Sequence, residues 1–472
     1  MLTVGYEYNI LGIVSLMKSI KSSDPEPQFD PLARYLSIIC AVIIVLLPFH
    51  AFLTVWAASL IGHYTALRLW KEVLLVVVFA GAVIVAARNR PEWSAVRKIF
   101  GSTVPCSLAK LYGALCVSAV VIAYAAGGVT FKAAVFGLIL DLRFLTFFGI
   151  VWLVSAHGGQ LIYKYWRPLL LIPAAAVIVF GLLQFTVLPA DFLRHFGYGP
   201  DTIPAIQTID QKAAYQRIQS TLRGANPLGT YMVLIITAVS ALLLKKSKYR
   251  VWYALGLAAA CLTLALTYSR SAWIGSVIAV GWLVFQALRA SKLLRNVLVT
   301  AAVAVMAFAG VGYMLRNNDT FQNTFFHTDE HSQSSESSNQ GHFAATASGL
   351  KDIIKYPLGS GTGTAGPASL YNNHPARIAE NYFVQIGQET GVLGLGLFIA
   401  INVLLGLELL RRRGNPLAVV LLASLLGISF INLLSHAWTD DTISYIWWGL
   451  AGAVIAVPVQ TGTGAAKKRS EQ

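Results

Sequence analysis

Long apolar runs alternate with short polar segments along this chain, and most runs are long enough to cross a bilayer, whose ~30 Å hydrocarbon core takes about 20 helical residues. They lie near 38–60, 69–87, 108–126, 133–154, 168–188, 228–244, 251–267, 272–288, 296–314, 391–410, 416–434 and 443–459. The pattern predicts an all-α integral membrane protein of about 12 transmembrane helices.

One run needs dividing. Residues 251–288 would measure roughly 57 Å as a single helix, far more than the core is thick. Basic clusters flank the run at 245–250 and 289–295. It therefore folds into a hairpin whose tip is Thr267-Tyr268-Ser269-Arg270-Ser271. An arginine at the bilayer centre costs at least ~2.5–3.5 kcal/mol. At a hairpin tip Arg270 instead reaches the membrane face, where an anionic group can meet it.

Composition agrees: 56% of residues are hydrophobic and 12% charged, which excludes a soluble globular chain. The net charge of +15 raises nucleic acid as a partner, but the placement of the charges answers differently. Alternate loops collect them: Lys18, Lys21 and Arg34; Arg88, Arg90, Arg97, Lys98 and Lys110; Lys164 and Arg167. The same set continues with Lys245, Lys246, Lys248 and Arg250; Arg289, Lys292 and Arg295; Arg411 to Arg413; and Lys467, Lys468 and Arg469. Lys and Arg favour cytoplasmic loops, so this set is inside, both termini are cytoplasmic, and no nucleic acid is implied. Residues 1–34 read as a cytoplasmic segment without a signal peptide, 35–460 as the membrane domain, and 461–472 as a basic cytoplasmic tail. Cys40, Cys106, Cys116 and Cys261 lack metal-type spacing and read as packing residues.

The long outer loops are 189–227 and, between spans nine and ten, 315–390. The second holds a Ser/Asn-rich tract, a helical-looking stretch from His342, and glycine turns over 358–367. Loops this long are functional or disordered; the tract 327–340 reads as disordered and the remainder as functional. In the first loop Arg217 and Arg223 precede an Asn-Pro helix start, and a turn between them would bring both near Arg270. Three guanidiniums suit a phosphate or pyrophosphate; they equally suit ordinary lipid phosphates.

Other polar residues leave two readings each. Lys71-Glu72 and Asp141-Leu142-Arg143, inside spans, are interhelical pairs or a proton or substrate pathway. His342 and His374 are each a base or a structural residue. Glu380, before span ten, is a general base, a helix cap or an arginine's partner. His327 and His331 sit in a polar tract that reads as linker rather than metal site. A Walker-type phosphate loop, HExxH and GxSxG are absent, so no cofactor is implied and any reaction energy arrives in an activated substrate.

In order along the chain, RIQSTLRGANPLGTYMVL (217–234), TYSRSAWIG (267–275), GHFAATASGLKDIIKYPLGSGTG (341–363) and ENYFVQIGQETGVLGLGLF (380–398) resemble the O-antigen ligase and polymerase superfamily of bacterial membrane glycosyltransferases. The resemblance covers about residues 35–460. It implies a multi-pass enzyme of the bacterial cytoplasmic membrane for surface-polysaccharide synthesis. Such enzymes transfer a glycan from undecaprenyl pyrophosphate to an acceptor hydroxyl, on a glycan or a lipid-linked acceptor, at the outer face, without nucleotide or metal. It also implies that Arg270 with Arg217 or Arg223 holds the pyrophosphate. Ligases carry a histidine directly before the Asn at 381, where this chain has Glu380, so Glu380, His374 or His342 is the candidate base and the acceptor stays unassigned. A transporter or flippase of lipid-linked anionic glycans is the rival reading; it would show similar halves, and no internal repeat is apparent.

Overall fold

The computed structural model describes residues 29–89, 103–209, 212–289, 314 and 338–458. Over these the chain is helical, with one two-stranded hairpin. Helix α1 (Pro31–Leu46) runs through a 3₁₀ turn into α2 (His50–Ile61); α3 (Tyr64–Leu67) leads into α4 (Trp70–Arg88). Then come α5 (Thr103–Ala125), α6 (Phe131–His157), α7 (Leu161–Lys164) and α8 (Trp166–Thr186). Strands β1 (Gln207–Ile209) and β2 (Lys212–Arg217) precede α9 (Ala225–Leu243), α10 (Arg250–Leu266) and α11 (Arg270–Leu288). The chain resumes with α12 (Ser338–Lys355), α13 (Tyr382–Arg411), α14 (Pro416–Asn432) and α15 (Asp441–Ile455). Among the described residues eight helical segments are long and apolar enough to cross a membrane, and α10 and α14 are shorter apolar helices.

Helix starts follow local chemistry. Asp30, Thr130, Asn381, Asn415 and Asp440 each accept hydrogen bonds from backbone N–H groups of the first turn that follows. Pro31 and Pro416 occupy the first helical position, where no N–H is needed.

Helix α15 is buried from Thr442 to Ile455, as an all-round apolar helix should be. It packs most extensively on α6, and also on α14 and α9. Small residues permit this: a Cβ on Gly452 would stand 2.5 Å from the Phe148 carbonyl oxygen. Trp438, Trp447 and Trp448 pack on one another and on Phe144. By contrast α4 and α5 expose Val73, Val76, Val121 and Ile122 on outward faces.

The charges inside the bundle are paired, though not with their sequence neighbours alone. Lys71 Nζ lies 3.0 Å from Glu72 and 3.2 Å from Asp441, while Arg143 Nη1 reaches both Glu72 and Asp441. Asp141, two residues from Arg143, faces Glu389 of α13 instead.

Helix α13 is broken at Gly391, which has φ 69 and ψ −169. The glycine turns enter this break. Val392 N donates to Pro357 O at 2.9 Å, Ser360 N to Gln388 O at 2.8 Å, and Gly361 N to Glu389 O at 2.8 Å. Gly363 N donates to the Glu389 carboxylate at 2.8 Å, so the buried loop satisfies its backbone on α13.

Several expectations change. The tenth span starts at Tyr382, nine residues before the expected 391, because Asn381 caps it and a short helical stretch precedes the Gly391 break. The first span starts earlier, at Pro31, because Asp30 and Pro31 form a helix start. Loop 189–227 contains a hairpin and a 3₁₀ turn at Phe192–Phe196. Cys40 and Cys116 are buried, but Cys261 is exposed on α10. The expected span 296–314, save Met314, the tails 1–28 and 459–472, and His327 and His331 lie outside the described residues.

Candidate functional site

The expected site begins at the α10–α11 tip. Thr267 Oγ1 donates to Leu264 O at 2.6 Å, Tyr268 takes φ 51, and Ser269 precedes α11. β2 is stitched to this corner: Ile218 N donates to Leu266 O at 3.2 Å, and Arg217 Nε donates to Thr267 O at 2.7 Å. The other arm of the Arg217 guanidinium meets Asn226 Oδ1, at the start of α9, at 2.5 Å. Gln207, Gln219 and Gln184 tie the intervening turn together by side-chain amides. Helices α9 and α11 therefore start side by side, with Arg217 between them and Arg270 at the first position of α11. Helix N-termini carry partial positive charge, so arginines and helix ends favour an anion together.

A second assembly lies within electrostatic reach of Arg270. His342, early in α12, meets the Glu380 carboxylate through Nδ1. Glu380 holds φ 51, an uncommon conformation for a residue with a side chain, and such strain concentrates at functional sites. It is held from both sides. Thr346 Oγ1 donates to Ala379 O at 2.9 Å, and Asn381 Nδ2 donates to Leu433 O at 2.9 Å. Farther along α12, Asp352 accepts from Arg377 at 2.7 Å and from Gln388 at 2.8 Å. The helix cap is thus Asn381 and not Glu380.

Electrostatics favour a neutral imidazole. Burial, and then the positive charge of Arg270, lower the pKa of His342 below its ordinary value. His436, in the α14–α15 connection, is lowered to about 4 by burial and by His342, and its Nε2 is buried without a hydrogen-bond partner. Burial raises Asp440, and Arg223 opposes that rise. With Nδ1 turned to Glu380, His342 retains Nε2 as a proton acceptor, the arrangement of an oriented histidine base.

The expected residues are therefore distributed as follows. Arg217 and Arg270 flank one corner, and Arg270 acts on His342. Glu380 and His342, read as alternatives from the sequence, are partners. Arg223 is exposed and acts electrostatically on Tyr64 and Asp440. His374 is exposed and makes none of these contacts. Sequence reasoning missed Asn226, His436 and Asp440; the polar stretch Ser435-His436 through Asp440-Asp441, wedged between two apolar runs, was the available signal. Among the described residues no three His, Cys, Asp or Glu side chains gather to hold a metal ion.

Among known proteins, residues 254–399 match the family model described as O-antigen ligase. The matched stretch runs from α10 into α13 and contains Arg270, His342, His374 and Glu380. No curated protein matches the chain significantly.

Proposed function

We propose, from the match of residues 254–399 to the O-antigen ligase family, that the chain is a polysaccharide polymerase or ligase of the bacterial cytoplasmic membrane. The donor is a glycan on undecaprenyl pyrophosphate, and the acceptor is a sugar hydroxyl at the outer face. The reaction uses neither nucleotide nor metal. The observation that carries this reading is the His342–Glu380 pair, inside the matched stretch, with Arg270 within electrostatic reach.

The step balances on these residues. The acceptor oxygen attacks the anomeric carbon, and its proton passes to His342 Nε2. Glu380 holds the imidazole in the tautomer that leaves Nε2 free. The anomeric C–O bond breaks, and the pyrophosphate departs with the electron pair. Arg270 and Arg217, with the starts of α9 and α11, stabilise that charge as it develops; Arg223 contributes from the Asp440 side. Helix α12 exposes Phe343, Leu350 and Ile354, and Leu358 follows on the chain, so apolar surface for a lipid-linked substrate runs along α12 away from the pair. His374 is the secondary candidate for the base.

Reconstitution tests this. Protein in liposomes receives undecaprenyl-pyrophosphate-linked glycan without nucleotide or metal, with Arg270→Ala as control. Longer lipid-linked chains with released undecaprenyl pyrophosphate identify a polymerase; release only on adding a second acceptor identifies a ligase. Intact substrate that merely changes leaflet would replace the enzyme with a flippase.

A further inference from the structure

We propose a binding site for the phosphate headgroup of an anionic lipid at the end of the bundle away from His342 and Glu380. Helix α11 runs from Arg270 to Leu288, so its two ends stand roughly 28 Å apart at ~1.5 Å per residue. Where α11 and α9 finish and α14 begins, a cavity of about 490 Å³ opens between the three helices. Trp282, Leu283 and Val419 contribute apolar walls, and Lys245, Arg289 and Arg413 bring one cation from each of three chain segments.

Among the described residues these cations meet no anion of their own. Among the described residues none of the three makes an ion pair. The neighbouring Arg411 and Arg412 both bond to Glu408, the nearest carboxylate along the chain. No aspartate or glutamate occurs from residue 211 to residue 318, nor between Glu408 and Asp440. Cations at helix C-termini do complement the last carbonyls, which accounts for Lys245 and Arg289 individually. It does not account for a concave pocket lined by a third cation, Arg413.

A lipid headgroup meets every feature. Two guanidiniums and an ammonium suit a phosphate, and the apolar walls suit the first methylenes of acyl chains. Basic pockets between membrane helices on the cytoplasmic side take such headgroups. Loops 245–250, 289–295 and 411–413 belong to the set read as cytoplasmic, so the ligand comes from the inner leaflet.

The test compares full-length wild type, K245Q/R289Q/R413Q and a control, K246Q/K248Q/R250Q, that removes three nearby cations outside the cavity. Each is held in phosphatidylcholine nanodiscs doped with phosphatidylglycerol, and bound lipid is counted by native mass spectrometry. Wild type and control should retain phosphatidylglycerol. The pocket variant should lose it by about tenfold or more, as expected for lost charge-assisted hydrogen bonds. Thermal unfolding provides a second readout: phosphatidylglycerol should raise the wild-type Tm saturably and leave that of the pocket variant unchanged. Should the triple variant not fold in phosphatidylcholine, R413Q alone takes its place. Equal lipid loss in pocket variant and control, or equal retention of phosphatidylcholine, overturns the site. Displacement of the lipid by millimolar inorganic phosphate would overturn the lipid as ligand.

Discussion

Glu380 shows what one residue's surroundings add to its identity. Its place before Asn381 was visible, but whether it caps, pairs or abstracts a proton depends on α12, whose approach no local pattern encodes. Because burial and Arg270 keep His342 below its ordinary pKa, transfer activity should rise along an acid limb centred below ~6.5 and stay level above it. Glu380→Gln removes the carboxylate that favours imidazolium, so the limb should move lower in pH while the maximal rate falls about tenfold to a hundredfold. Wild-type rates in Glu380→Gln, or a dead His374→Ala beside an active His342→Gln, would defeat the pair. Arg270→Lys should lose most activity at normal expression, since a point charge replaces a bidentate fork; unchanged turnover would remove Arg270 from the site. His436 carries a separate stability signal. Its folded pKa of about 4 lies below the ordinary ~6.5, so its contribution is complete above 6.5 and is lost as pH falls towards 4. Thermal unfolding from pH 7 to 4 should therefore be steeper in wild type than in His436→Gln.

Among the elements, the helices were legible because apolar runs of bilayer length admit few alternatives, and the hairpin at 267–270 followed from length and flanking charge. The helical stretch of α12 and the glycine turns after it were legible too. The destination of those turns was not. They become a buried loop only because α13 breaks at Gly391 and offers the Gln388 and Glu389 carbonyls and the Glu389 carboxylate as acceptors. The same loop also reaches α5, where Thr362 Oγ1 donates to Cys116 O at 3.2 Å, a contact between residues far apart in sequence that periodicity does not encode. The break makes a paired prediction. Gly391 has φ 69, and a Cβ there would meet the Leu358 carbonyl carbon at 2.5 Å, so Gly391→Ala should lower stability by more than the ~1 kcal/mol scale of a helical Gly/Ala exchange. Gly396, five residues on, has no atom within 4 Å of such a Cβ, and Gly396→Ala should be neutral or stabilising by up to ~1 kcal/mol. Chemical unfolding of both variants in one detergent checks the contrast, and equal losses would mean that the break does not organise the loop.

For the molecule as a whole, orientation is the property on which the proposed chemistry depends. Arg217, Arg270, His342 and Glu380 gather where α9 and α11 start, and Lys245, Arg289 and Arg413 where they finish. Charge asymmetry was readable in the sequence because each basic cluster sits between two apolar runs. That the scattered outer residues converge was not, since convergence depends on helix packing around α15. The orientation proposed from positive-inside placement has the first group outside and the second inside. In a background with the four cysteines replaced, Asp201→Cys and Lys246→Cys place single thiols on exposed positions of opposite loops. A membrane-impermeant maleimide added to intact cells should label position 201 at once and position 246 only after the membrane is permeabilised. The reverse pattern would invert the molecule. His342 and the arginines would then face the cytoplasm, on the wrong side for an outer-leaflet acceptor, and the basic cavity would lie in the outer leaflet.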